Sequence, residues 1–235
     1  MTRRRWIADE VSGSRAALVG SHAEHLSRVL RAGVGQEFDI ATGSDVRRGR
    51  ITAITPDRVE FELGEEVVAG VSVRATVLLS IFKFDRMEWA IEKITELGTV
   101  RIVPVIARRT EARLAAAAGK RVERWRRIAL QSAEQSRRSS PPEISAPLKV
   151  EDAAGMAGDT RILLSEVEAE TMLKDVLPTD SRQGEIMLAF GPEGGWTDEE
   201  LKLFQKAGWM AASLGSTILR TETAAIAALA VVLCA

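Results

Sequence analysis

Two short segments carry residues whose types and spacing suit chemistry. One is Gly191-Pro-Glu-Gly-Gly, three glycines around a Pro-Glu pair, directly after the apolar run Glu185 to Phe190. The other is Ser213-Leu-Gly-Ser-Thr-Ile-Leu-Arg-Thr-Glu-Thr-Ala, which crowds Arg220, Thr221, Glu222 and Thr223 together. Glycine backbone can approach a ligand closely because no Cβ stands in the way. The same glycines suit a tight strand-helix turn, so both uses stay open. No Gly-Lys-Ser/Thr follows, which excludes a P-loop, and the G-x-G-x-x-G spacing of a dinucleotide fingerprint is absent. In the second segment a helix start accounts for Thr221 as N-cap and for Glu222 at the positive end of the helix dipole. It leaves Arg220 unexplained.

Both segments need a strand before them and a helix after them. From Val73 onward the chain alternates apolar strands with helices: strands at Val73 to Phe82, Arg101 to Ala107, Arg161 to Ser165, Glu185 to Phe190 and Met210 to Leu214. Met87, Ala90, Ile91, Ile94 and Leu97 recur at helical spacing, and Gly98 stops that helix. A long basic helix is expected from Gly119 to about Arg138, closed by Ser139-Ser-Pro-Pro. Thr197-Asp-Glu-Glu opens another helix with a capping box, and Thr221 to Ala235 forms an alanine-rich one. This pattern predicts an α/β sheet layered between helices over residues 73–235. Ligands of such sheets bind outside the carboxyl ends of the strands, where both glycine-bearing segments fall.

Residues 1–70 read differently. Glu37 to Ala41, Arg50 to Ile54 and Val59 to Leu63 are short strands between turn signals, and Ser21 to Arg31 is a short helix with Ser21 and Glu24 as a capping box. Several strands with one helix predict a small barrel, joined to the larger domain by a connector at Glu65 to Val71.

Composition narrows the class. No apolar run reaches the roughly 18 to 20 residues that span a bilayer. Met1-Thr-Arg-Arg-Arg-Trp is not followed by the apolar stretch of a signal peptide, so the expected compartment is the cytosol. The single cysteine, Cys234, excludes an internal disulfide and a thiolate zinc cluster, and with only His22 and His25 besides, metal-free chemistry is expected. The net charge of −1 hides segregation: residues 101–140 hold eleven Lys/Arg against three acids, and residues 141–235 hold seven against fifteen. Such asymmetry suits a polyanion contact, and equally a solvated, salt-bridged helix.

The ordered set of motifs resembles the ribosomal RNA small subunit methyltransferase E family of the SPOUT superfamily. The matching residues are His25-Leu-Ser-Arg-Val-Leu-Arg, Ile91-Glu-Lys-Ile-Thr-Glu-Leu-Gly, Ala133-Glu-Gln-Ser-Arg-Arg, Gly191-Pro-Glu-Gly-Gly-Trp-Thr, Ser213-Leu-Gly and Ile218-Leu-Arg-Thr-Glu-Thr-Ala. The resemblance implies a SPOUT fold with a C-terminal trefoil knot, an N-terminal PUA-like β-barrel that binds RNA, and a homodimer. It implies S-adenosylmethionine as cofactor and methylation of uridine N3 in 16S ribosomal RNA, free or in the assembled small subunit. It also implies a cofactor pocket of Leu188, Phe190, Gly191, Glu193, Gly194, Gly195, Leu214, Gly215, Ile218, Leu219, Thr221 and Ala224. Ser216-Thr217 stands where the family commonly has Pro-Arg.

On that reading Arg220 stabilises charge developing on the uracil oxygens, and Glu222 is the base or water-orienting group. RNA contacts are expected from His25, Arg28, Arg31, Lys83, Arg86, Gln135 and Arg137. Further candidates for phosphate are Arg108, Arg109, Arg126, Arg127 and Arg138, with Trp196 as a possible base-stacking surface and Trp125 in the core. Two other readings remain: a SPOUT enzyme acting on the ribose 2′-oxygen, and a non-catalytic RNA-binding protein.

Overall fold

The structure is a computed structural model that describes residues 5–67, 73–179 and 184–234. The basic residues before Arg5, the connector from Val68 and the last residue of the expected C-terminal helix, Ala235, lie outside the described residues. The chain divides into two compact units, residues 1–70 with 133–141, and residues 71–132 with 142–235. The sequence reading assigned everything from Val73 to one domain. The stretch after Ser132 instead belongs to the first unit, and it carries Gln135 and Arg137 with it.

In the first unit, β1 (Arg5–Ile7), β2 (Glu10–Ser12), β3 (Arg15–Val19), β4 (Glu37–Ala41), β5 (Val46–Ile54) and β6 (Arg58–Glu66) form one sheet in the order β1-β4-β5-β6-β3-β2. The two edge strands, β1 and β2, are joined by Ala8 and Asp9 alone. So short a link spans only about 10 Å, and the sheet must curl until its edges approach. Register shifts between β5 and β6 assist the curl. Alternate residues of β6, Val59, Phe61 and Leu63, point inward and meet Leu18, Leu26, Ile40 and Ile51 in this unit's core.

The helical segment differs from expectation. α1 (Ser21–Glu24) starts one residue early, on Gly20, and no side chain caps it. Ser21 therefore lies inside the first turn, where it cannot form the expected capping box. The helix widens at once into a π turn, His25–Val29, in which the Leu30 amide donates to the His25 carbonyl.

In the second unit, β7 (Arg74–Ser80), α2 (Phe84–Glu96), β8 (Arg101–Ile106), α3 (Ala112–Ala118) and α4 (Val122–Gln135) come first. They are followed by β9 (Glu143–Ile144), β10 (Leu148–Lys149), α5 (Val150–Ala154), β11 (Thr160–Leu164) and α6 (Leu173–Val176). β12 (Glu185–Phe190), α7 (Asp198–Lys206), β13 (Met210–Ala212) and α8 (Thr221–Leu233) complete the chain. The sheet runs β10-β8-β7-β12-β11-β13, with β9 also on β8, and its strand pairs are parallel.

Both faces of this sheet are covered, which is why its strands are unbroken apolar runs. In β12, Ile186, Leu188 and Phe190 face one layer with Met87 and Ile91 of α2, Trp125 of α4 and Leu229 of α8. Met187 and Ala189 face the opposite layer, with Trp196, Phe204 and Trp209. α3 was not expected; the Ala115–Ala118 tract is its second half, and alanine is the strongest helix former.

Three helix ends differ from or match the sequence reading in informative ways. The expected basic helix is shorter: a 3₁₀ turn covers Gly119–Arg121, and α4 stops at Gln135, before Arg137 takes a left-handed φ of 59°. The capping box at Thr197 and Glu200 is present. Arg220, not Thr221, is the N-cap of α8, and its side chain makes no capping bond.

Leu188 is fully buried between β12 and its helices. Leu188→Ala should lower unfolding free energy by about 2–5 kcal/mol, the usual result of emptying a leucine site in a core. Chemical denaturation is the check; a loss below about 1 kcal/mol would show that this layer is loosely packed.

Candidate functional site

Three neighbouring strands, β12, β11 and β13, end in one row. Leu164 pairs with Phe190 on one side and with Ala212 on the other. The chain leaves all three at the same level, and the loops that follow enclose a cavity of about 540 Å³. Its wall holds the Gly191–Gly195 loop, Ser165 and Glu166 after β11, the run from Ser213 to Thr221, Ala224 of α8, and Arg86 of α2.

The glycine loop is held open by donors from its neighbours. Gly195 has a left-handed φ of 71°, and a Cβ there would collide with the Glu166 carboxylate. A Cβ on Gly194 would press on the stem of Arg109. Thus the glycines serve backbone turning and close approach together. Arg109 donates to the carbonyls of Gly194 (2.5 Å) and Trp196 (3.3 Å). Trp196 is buried edge-on to Phe204, and its indole N–H donates to the Leu164 carbonyl at 3.1 Å. A tryptophan fixed in this way ties the loop after β12 to the end of β11 and offers no face for base stacking. The Thr221 hydroxyl donates to the Gly191 carbonyl at 3.0 Å, so the first residue of α8 anchors the same loop.

The loop after β11 is also self-braced. Glu168 accepts from the amides of Glu170 and Thr171, each at 2.9 Å. Those amides, Thr171 first, hold its carboxyl below the usual carboxylate range. The Ser213 amide donates to the Thr171 carbonyl (2.8 Å), and the Leu173 amide to the Ser213 carbonyl (2.9 Å). Ser213 also bonds Gly215 through its hydroxyl, at 3.2 Å in each direction. Gly215, with φ 132°, makes the turn. Beyond it Ile218 is 84% exposed at the rim.

Of the residues the resemblance implied for the pocket, Phe190, Gly191, Glu193, Gly194, Gly195, Leu214, Gly215, Ile218, Leu219, Thr221 and Ala224 line the cavity. Leu188 does not; it points into the core. Arg220 is on the wall and exposed. Glu222 is buried and off the wall, with one carboxylate oxygen 3.9 Å from the Arg86 Nε and the other without a hydrogen-bond partner among the described residues. Arg86, expected at RNA, lines the wall and pairs with Glu193 at 2.8 Å. Sequence reading missed the wall contributed by β11. Ser165-Glu166 has no glycine to mark it, and only its place after a strand could have pointed to it.

The remaining candidates are dispersed. Lys83 is exposed at the start of α2. Arg126 is occupied by the Ile144 carbonyl and Glu123, and Arg127 is exposed. In the first unit His25 lies edge-on to Trp6, and Arg28 pairs with Glu24. Arg31 and Arg137 are exposed with left-handed φ of 53° and 59°, and Gln135 is exposed. Burial pulls the Arg138 guanidinium down to about 10, so it stays charged at neutral pH. No helix among the described residues is long and apolar enough to cross a membrane.

Comparison with known proteins bears directly on this geometry. A family model for the RNA methyltransferase domain matches residues 71–233. Ribosomal RNA small subunit methyltransferase E of Synechocystis sp. is 32% identical, over 94% of this chain and 74% of the relative. The protein of that name from Mycobacterium bovis is also 32% identical, over 94% of this chain and 87% of its own length. A crystal structure of ribosomal RNA small subunit methyltransferase E from Neisseria gonorrhoeae, bound to S-adenosyl methionine, is similar with a TM-score of 0.85. That likeness has 30% identity and covers 97% of this chain and 96% of that one. With the match running through the curled sheet as well as through the parallel sheet and its cavity, the chain belongs to the ribosomal RNA small subunit methyltransferase E family.

Proposed function

We propose that this protein transfers a methyl group from S-adenosylmethionine to N3 of a uridine in 16S ribosomal RNA, free or within the small subunit. The observation that carries the reading is the cavity itself: three aligned strand ends closed by loops, in a chain of this family. Its volume of about 540 Å³ suits a small-molecule cofactor. At Gly194 and Gly195 a side chain would meet Arg109 and Glu166 of the protein itself, and backbone without a Cβ can also approach a ligand closely. Phe190, Leu214, Leu219 and Ala224 would supply apolar walls, and the loop backbone from Gly191 to Gly195 and at Gly215 would supply hydrogen-bonding groups. When bound, the cofactor supplies an activated methyl on a sulfonium leaving group.

The protein must then position uracil and manage a proton and a charge. N3 loses its proton as the methyl bond forms, and negative charge spreads to O2 and O4. Arg220 is the cavity cation for that charge, because Arg86 is paired with Glu193, whereas Arg220 has no hydrogen-bond or ion-pair partner among the described residues. Glu222, buried beside Arg86 with one oxygen unpartnered, is the base or water-orienting group. Arg220→Ala should reduce turnover by about a hundredfold or more while leaving S-adenosylmethionine affinity within about twofold, the pattern of a group used in the transition state. Methyl incorporation into small subunits and calorimetry measure the two quantities. Turnover that survives the substitution would remove Arg220 from the chemistry. Nucleoside mass spectrometry on the product identifies the atom: 3-methyluridine supports this reading, and a methylated ribose moves the reaction to the 2′-oxygen.

The curled first unit serves as a PUA-like RNA-binding domain, with His25, Arg28, Arg31, Gln135 and Arg137 facing RNA; in the second unit Lys83 is a separate RNA-binding candidate. Two arginines support this reading by where they stand. Arg31 and Arg137 follow helix ends in the left-handed conformation, positions at which glycine carries least strain. Retaining arginine there sacrifices roughly 1 kcal/mol per site of backbone preference, which a charge needed for function explains. Arg31→Gly and Arg137→Gly should leave the melting temperature unchanged or raised while weakening RNA binding severalfold and flattening its salt dependence. Unchanged RNA affinity in both variants would remove these residues from the interface. The same reading includes a C-terminal trefoil knot in the second unit, a cytoplasmic location and a homodimer. α8 suits a subunit interface, for it carries no charged residue after Glu222 and leaves Leu233 exposed.

A further inference from the structure

We infer that Glu166 is a cofactor-selecting residue that binds the positively charged end of S-adenosylmethionine; this rests on the cofactor reading above. Three glutamates follow β11: Glu166, Glu168 and Glu170. Their tasks differ. Glu168 is spent on the amides of Glu170 and Thr171 and shapes the loop. Glu166 is the one on the cavity wall, and its carboxylate lies so near Gly195 that a Cβ on that residue would collide with it. The Glu166 side chain is exposed and has no hydrogen-bond or ion-pair partner among the described residues, although the loop that presents it is fixed at both ends.

The charge balance of the wall points to the ligand. The wall holds two arginines, Arg86 and Arg220, and two glutamates, Glu166 and Glu193. Arg86 is paired with Glu193 at 2.8 Å and, behind the wall, lies 3.9 Å from Glu222. Arg220 and Glu166 remain as charges of opposite sign, one cation and one anion offered to ligands. S-adenosylmethionine carries a sulfonium and an ammonium against one carboxylate, a net positive charge, and the methyl transfer removes the sulfonium charge. A carboxylate near that end would hold the cofactor against the positive field of Arg220 and would do so by a charge-assisted contact. Uracil, which gains negative charge as it reacts, would be repelled by the same group. Arg220 and Glu166 thus sort the two reactants by charge.

Three probes separate the parts of the cofactor. S-adenosylmethionine has adenosine, ammonium and sulfonium; S-adenosylhomocysteine lacks the transferred methyl and with it the sulfonium charge; 5′-methylthioadenosine keeps adenine and ribose but neither cation. Each is titrated calorimetrically into the wild-type protein, Glu166→Gln and Glu166→Asp, with thermal melts confirming that the variants fold. Glu166→Gln should lose roughly tenfold or more in affinity for S-adenosylmethionine, the scale of one hydrogen bond to a charged group. It should change 5′-methylthioadenosine binding by less than about twofold, and Glu166→Asp should recover part of the loss. A parallel loss with S-adenosylhomocysteine places the contact at the ammonium, and its absence places it at the sulfonium; either supports the assignment. Unchanged S-adenosylmethionine affinity would overturn it. So would an equal loss for 5′-methylthioadenosine, which would put Glu166 on the ribose hydroxyls. A wild-type protein that binds none of the three would sink the cofactor reading and this assignment with it.

Discussion

The register that sets Phe190, Leu164 and Ala212 side by side is the constraint on which the rest of the second unit depends. In a parallel sheet every strand delivers its following loop to the same end, and here three adjacent strands deliver theirs at one level. Both faces of the sheet are filled by apolar side chains, so no chemistry can reside within the strands. It is confined to the loops beyond them. Those loops are held by directed hydrogen bonds as well as by apolar side chains they send into the core, such as Trp196 and Leu214. Trp196 to Leu164, Thr221 to Gly191, Arg109 to Gly194 and Ser213 to Gly215 each join one loop to another element or turn it on itself. Losing any one of them would loosen a wall of the cavity without unfolding the sheet.

This division of labour explains what could be read in advance. Strand β12 was legible because burial on both faces demands an unbroken apolar run, here the five residues Ile186 to Phe190, and the glycines after it mark a turn. The capping box at Thr197 was legible because both partners are local. What escaped depends on contacts distant in sequence. Thr221 looks like an N-cap, but its hydroxyl is drawn to Gly191, thirty residues away. Trp196 looks available, but its indole is committed to a strand end. Leu188 sits in the matched pattern of the pocket, yet the alternation of β12 turns it into the core. Glu166 has no local mark at all. The assignment of residues 133–141 to the first unit is of the same kind, since α4 continues in sequence past the point where its packing changes.

Charge is distributed by the same logic of commitment. Many of the arginines that make residues 101–140 basic are bound to specific acceptors: Arg109 to loop carbonyls, Arg126 to Ile144, and Arg124 in a two-pronged pair with Glu88. Much of that local excess of positive charge is therefore engaged in holding elements together. Among the described residues the non-glycine positions with positive φ are Arg31 and Arg137. Both lie in the first unit and both follow a helix end, where a glycine would relieve the strain. A charge kept at an unfavourable backbone position is harder to explain by packing than a charge in a basic run. Commitment to structure also separates the charges of the cavity wall: Arg86 is held by Glu193, whereas Arg220 and Glu166 have no hydrogen-bond or ion-pair partner among the described residues.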